Sequence, residues 1–559
     1  MQTTEDLKIT FLGVNPVIKD ETGDLNPETI CALGALLTFK GKSVQDLKKE
    51  VDEKGQDLGK KVKIILEKSS LKGHASIATT PVFSFSYEAS KFLDSSLTGI
   101  VFASALMHSG RRAGVTNEDV VIPVSLEKNK KSREIYLDAS KRNIDLFNKL
   151  LVSNVEQDQA SKILHYGLYG TGIISYSVES LNSLKREYER EKYWMPEEIE
   201  FLLKIIERKM QKTGIGYLFR TRQVAPRNTY PYPNIFKDPT KVNLARELAE
   251  KYLHNKESKV ISINSLATDG LKKRMDNLKE KLERIYEDKK ILLSKWYNLL
   301  EERASITRDY QNALDVKVLS RESWRVWGEK KRHRTVQMGV DSIYYSIERA
   351  YNIWKGYKEN IEKNSLVGDQ IAKLDNFFAI PEQIRANKKL LGEYLSCAWN
   401  SLCVYKKLVE SGIPERDAIF IVPRAVRIDM VSTFNFYNLI SGYYPLRLCT
   451  KAEEQLRRVT TKEAEEIKSE FKKIGLDWLN WHIAPKCYST GFCPEEESCL
   501  KVKEVSSFYN EEVHEEMKKD LEEKLQETSR KPEQVTLRES IKAQTKVHPN
   551  REEGAFTRS

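Results

Sequence analysis

The segment Arg332-His333-Arg334-Thr335-Val336-Gln337-Met338-Gly339-Val340-Asp341-Ser342 gathers two guanidiniums, an imidazole and a spaced hydroxyl. Two arginines flanking a histidine form a donor array suited to a polyanion, because each planar guanidinium can grip phosphate oxygens through two parallel hydrogen bonds. A phosphorylated ligand is the natural guest. The step from Arg334 to Ser342 is too long for one strand face and too short for a new domain. It reads as a loop that returns a hydroxyl to a second group of the ligand. Taken alone, the same cluster is also consistent with a solvated basic surface.

The surrounding chain has 559 residues, which implies several domains at about 100 to 200 residues each. With 31% charged and 9% aromatic residues it has a soluble globular composition, not a fibrous or disordered one. A net charge of +11 favours anionic ligands such as nucleotides, polyglutamylated cofactors or RNA, without choosing among them. The longest apolar run, near Leu97 to Met107, is far short of the roughly 20 residues of a membrane span, and the acidic start has no signal-peptide pattern. A cytoplasmic protein without a membrane partner is expected. Seven cysteines, an odd count, argue for free thiols or a metal site and against a disulfide framework.

In chain order, residues 7 to 13 alternate as a strand and helix follows from about Glu28. Gly73-His74-Ala75-Ser76-Ile77 reads as a loop entering the period-2 strand Val82 to Tyr87. Helical spacing predicts helices over 133–165, Pro196–Lys209, Lys241–Tyr252 and Leu390–Val409, and a long helix or hairpin over Leu271–Arg303. A boundary is expected near residue 260. Glu302-Arg303-Ala304-Ser305-Ile306 echoes the 73–77 loop, which suggests an internal repeat. Cys487, Cys493 and Cys499, with His482 just upstream, could supply four soft ligands to zinc or an iron–sulfur cluster, at spacings wider than the usual knuckle.

Arg-His-Arg, seven residues, then Ser resembles the signature of the flavin-dependent thymidylate synthases. Leu446-Arg447 followed by Ala452 to Arg457 is similar to a second element of that family, and Arg190 with Met195 to Ile199 is a looser copy of it. The resemblance implies an α+β protein of two tandem synthase-like domains, at 1–255 and 265–485, each a mostly antiparallel sheet with long helices. A Cys-rich segment at 486–505 and a charged, mobile C-terminal tail at 506–559, a charged helix first and then a polar stretch, would follow.

It also implies reductive methylation of dUMP, or a related uracil nucleotide, with methylenetetrahydrofolate as carbon donor, FAD as redox carrier and NADPH as reductant. His74 and Ser76 would bind flavin, as would Arg332, His333 and Arg334. Ser342, Arg447 and Arg190 would bind substrate, with Arg447 stabilising charge on the uracil ring. Ser109-Gly110-Arg111-Arg112 reads as a degraded first copy of Arg-His-Arg, and Arg303 stands where the second half needs a histidine. These complementary losses imply composite sites in a homodimer that imitates the family's tetramer. Val340, Tyr344 and Ile419 replace a Glu and two Arg of the pattern. Two further readings stay open at this stage: a non-catalytic flavin- or nucleotide-binding protein, and a flavoenzyme acting on uracil in a polynucleotide.

Overall fold

The computed structural model describes residues 2–20, 23–108, 114–225, 232–254, 256–285, 293–490, 493, 495, 499 and 511–528. Alternating side chains build two four-stranded sheets. The first contains β1 (Lys8–Asn15), β2 (Val82–Ser90), β3 (Ala103–Met107) and β4 (Tyr169–Ser177). The second contains β5 (Ser258–Ser265), β6 (Leu314–Ser323), β7 (Gln337–Val340) and β8 (Arg427–Asn435). In β2 the period is plain: Phe83, Phe85, Tyr87 and Ala89 are buried while the residues between them are less so.

Every strand pair in both sheets is antiparallel. The orders are β1-β2-β4-β3 and β5-β6-β8-β7, so both sheets run first, second, fourth, third. The correspondence continues outside the sheets. Helices α1 (Lys130–Val152) and α2 (Lys388–Glu410) each have 23 residues, start on an Asn cap and end on a Ser. Each boundary from these helices to the following strand recurs 258 positions later, as 130 to 388 and 169 to 427 show.

Helices α1 and α2 pack on each other, and residues 258 apart meet there. Ser401 Oγ donates to Asn143 Oδ1 at 3.0 Å, and His165 forms a β-bridge with Pro423. The apolar core runs through this junction. Phe92 stacks on Phe420 at 4.1 Å between centroids and meets Trp324 at 5.4 Å. This core reaches both sheets, and a second apolar cluster around Val316, Val318 and Phe434 lies on the second sheet alone.

The structure corrects three expectations. The break expected between 255 and 265 is the strand β5, and helix Leu244–Tyr252 already packs Ala245 and Ala249 on Leu319 and Val431 of the second sheet. Residues 302–306 lie inside helix Leu293–Asp309 and do not form a loop. The earlier segment turns at Gly73, whose φ of +96° suits glycine, whereas Glu302 offers no such freedom and the helix continues. The tail begins with a docked helix, α3 (Glu511–Thr528), whose Met517 is buried against Trp296; residues 529–559 lie outside the described residues. Among the described residues no helix is long and apolar enough to cross a membrane.

Candidate active site

Helix Trp324–Lys330 delivers the chain into a tight turn before β7, with Arg332 N donating to Glu329 O, His333 N to Lys330 O and Val336 N to His333 O. The turn sorts its cations by direction. Lys330 is wholly buried, 2.5 Å from Glu322 and 3.3 Å from Glu463. Burial alone would lower its pKa, but the two carboxylates raise it above the ordinary lysine value. Lys331 is also buried, with its Nζ donating to Ser95 O of the first half and lying 3.9 Å over the Trp327 ring. Arg332 and Arg334 are exposed, with no ion pair to protein among the described residues.

His333 is half-buried, and its Nε2 accepts from Arg447 Nε at 2.8 Å. A donated N–H at Nε2 means that His333 is neutral, with its proton on Nδ1. Burial, then the charges of Arg447 and Lys330, pull its pKa down to about 4. The Tyr443 ring meets it edge-on at 5.0 Å. Arg447 reaches Glu329 at 3.5 Å through Nη1, and Glu329 is itself held by Arg325 at 2.9 Å. Asn438 braces the same turn, donating to Thr335 O at 3.1 Å and accepting from Thr335 Oγ1 at 2.9 Å. The two motifs, 114 residues apart in sequence, thus form one unit. Glu329, Asn438 and Tyr443 were not singled out from sequence; their only signal was position beside the two motifs.

Ser342 is wholly buried and its Oγ donates to Lys237 O at 2.6 Å, so presenting it to a ligand requires exchanging that bond. Asp341 is held by Arg246 at 2.8 Å, and Val340 O accepts from Lys237 Nζ at 2.5 Å. Tyr344 is buried with its hydroxyl on Trp194 O, and Ile419 is core.

Arg190 is exposed beside Glu187 and Glu191. Its position matches that of Arg447. Glu198, eight residues on, accepts from Ser90 N at the end of β2; Gln455, eight residues after Arg447, accepts from Ser323 Oγ at the end of β6. His74 and Ser76 are exposed, and their hydrogen bonds stay within residues 69–80. The helix that Ser76 opens packs on helices Pro27–Lys40, Val178–Glu191 and Gly216–Val224, all in the first half. The structure does not bring the His74 loop to Arg332 within one chain.

Residues 109–113, where a degraded Arg-His-Arg was expected, lie outside the described residues. Topology puts the counterpart elsewhere. Arg332–Arg334 lie between helix 324–330 and β7; in the first sheet that position is 98–102, between helix Phe92–Leu97 and β3. This stretch, Thr98-Gly99-Ile100-Val101-Phe102, has no basic residue, and Gly99 (φ +90°) lies against the Lys331 side chain.

Cys487, Cys493 and Cys499 share a cavity of about 380 Å³ with a fourth thiol, Cys449. Burial pushes Cys487 up to about 12, and its three neighbouring thiols push the same way. His482 is not part of this group: it is buried with Nδ1 3.5 Å from Arg303, and among the described residues Arg303 also donates to Ile440 O. Among the described residues no three His, Cys, Asp or Glu converge on a single-ion site.

Residues 251–471 match the family profile described as thymidylate synthase complementing protein. The chain is 37% identical over 134 residues to the flavin-dependent thymidylate synthase of Pyrococcus horikoshii, covering 23% of this chain and 54% of that protein. With the Pyrococcus abyssi enzyme of the same name the identity is 34% over 126 residues, 22% of this chain and 50% of the relative. The likeness to the flavin-dependent thymidylate synthases is carried by residues 251–471.

The chain spans about half the length of the curated synthases it matches. The family segment contains β5 to β8, the Arg332–Ser342 turn and Arg447. Among solved structures, a UMP/dUMP methylase of Streptomyces cacaoi bound with 5-Br dUMP is 12% identical, covering 40% of this chain and all of that one at a TM-score of 0.31. The Helicobacter pylori flavin-dependent thymidylate synthase complexed with FAD and dUMP is 16% identical, covering 39% and 97%, at a TM-score of 0.27.

Proposed function

We propose that this protein methylates C5 of the uracil ring of dUMP, or of a related uracil nucleotide, taking the carbon from methylenetetrahydrofolate with NADPH as reductant. The observation that carries the reading is the 2.8 Å bond between Arg447 Nε and His333 Nε2, which assembles both family motifs at one place. Arg332 and Arg334 fit a flavin or nucleotide phosphate, since neither guanidinium is spent on a carboxylate among the described residues. FAD, when bound there, supplies the redox chemistry. The protein's part is position and charge. Arg447, fixed by His333 and Glu329 through Nε and Nη1, has Nη2 without a protein partner among the described residues and can stabilise negative charge on the uracil edge. Lys237 lies beside Ser342, among the charges of Asp341, Glu187, Glu191 and Arg190.

The chain is best read as a tandem pair of synthase-like units, the second beginning at or before helix Leu244–Tyr252, supported by the shared strand order and the 258-residue recurrence. A homodimer would then imitate the family's tetramer and bring the His74–Ser76 loop of one chain to Arg332 of the other. The exposed cross-strand pair Leu106 and Ile173 offers an apolar face for such a partner. The buried Ser342 hydroxyl and the buried Tyr344 and Ile419 favour a second reading, a flavin or nucleotide binder without turnover.

Tritium release from dUMP labelled at C5, with FAD, NADPH and methylenetetrahydrofolate present, tests the first reading. Release by a yellow protein of twice the chain mass is expected. A flavin-loaded protein that binds dUMP without release would leave the second.

A further inference from the structure

The cysteine cavity lies beyond the proposed chemistry and has its own construction. Cys449 follows Arg447 by two residues, Cys487 is on helix Lys486–Thr490, and Cys493 donates its N–H to His514 Nε2 of α3 at 3.2 Å. Cys499 lines the same space. Cys449, Cys487 and Cys493 are in no disulfide. Thr450 and Arg457 also line the cavity, and Thr450 Oγ1 and Arg457 Nε are buried without a hydrogen-bond partner among the described residues. Buried donors of that kind are costly unless something accepts from them. Lys451, Arg457 and Lys468 outnumber Glu465 and Glu495 on the wall, so the lining favours an anionic guest.

We infer that Cys449, Cys487, Cys493 and Cys499 ligate a [4Fe–4S] cluster. Four thiolates select zinc or an iron–sulfur centre. Zinc would hold the four sulfurs at about 2.3 Å around one point, which needs far less room than this cavity offers. A cluster instead places its thiolates around a core of several atoms. The cavity of about 380 Å³ has that scale, an order of magnitude above the ~30 Å³ of one water. Thr450 and Arg457 can donate to cluster or cysteinyl sulfur, and the basic wall offsets the cluster's negative charge.

The test is independent of methylation. Full-length protein, purified without oxygen and incubated with equal amounts of ferric and ferrous iron and with sulfide, should take up about four iron and four sulfide per chain. Reduction with dithionite should give an electron paramagnetic resonance signal that flavin does not produce. Cys449→Ser and, at an exposed position, Cys499→Ser should each lower iron content at least twofold while circular dichroism stays native. Cys403→Ser, outside the cavity, should leave it unchanged. Bound zinc without labile sulfide, no iron uptake by natively folded protein, or iron retained by both cavity variants would overturn the assignment.

Discussion

Arg447 makes its contacts through different nitrogens: Nε to His333 and Nη1 to Glu329. A lysine cannot reproduce that, because one ammonium would have to serve His333, Glu329 and a ligand together. Arg447→Lys should therefore lower kcat/KM for the uracil nucleotide by about 10- to 100-fold, the scale of one lost charge-assisted bond. Steady-state tritium release measures it; an unchanged value would remove the fork geometry from catalysis. Arg332, His333, Arg334 and Arg447 were legible in sequence because each motif is local. Their union was not, since a contact across 114 residues depends on how helix Tyr443–Arg447 folds back on the turn. Ser342 shows the opposite limit. Its spacing is visible, but its burial against Lys237 follows from a segment more than one hundred residues upstream.

At the scale of elements, the turn rests on the end of helix 324–330, where Lys330 ties β6 to helix Glu454–Lys473 through Glu322 and Glu463. Lys330→Met would leave two carboxylates buried together without a cation and should cost about 3 to 5 kcal/mol. Urea unfolding would register it as a lower midpoint, and adding Glu322→Gln with Glu463→Gln should recover part of the loss. Strong periodicity made β2 and α2 readable from sequence alone. The short β3 and β7, of five and four residues, carry too little pattern for sequence to show that the two sheets share a strand order. The two halves share strand order, helix length and helix caps.

For the whole molecule, the junction between the halves contains His165, whose ring nitrogens have no hydrogen-bond partner among the described residues. Burial, then the Arg424 guanidinium, depresses its pKa to about 3. The unfolded chain takes up that proton near pH 6.5. Stability from the neutral ring is thus present above pH 6.5 and is lost as pH falls from there toward 3. His165→Phe should flatten the fall of the unfolding midpoint across that window; an unaltered slope would place the acid sensitivity elsewhere. The contacts at this junction have another consequence. In a two-fold pair of separate chains, any substitution at the seam appears on both sides and must be tolerated twice. Here Asn143 meets Ser401 and His165 meets Pro423, each written once in one gene, so either side can be altered while the other is kept. A molecule built this way can give the turn at 98–102 over to packing while the turn at 332–334 keeps its charge, an inequality that identical subunits could never inherit.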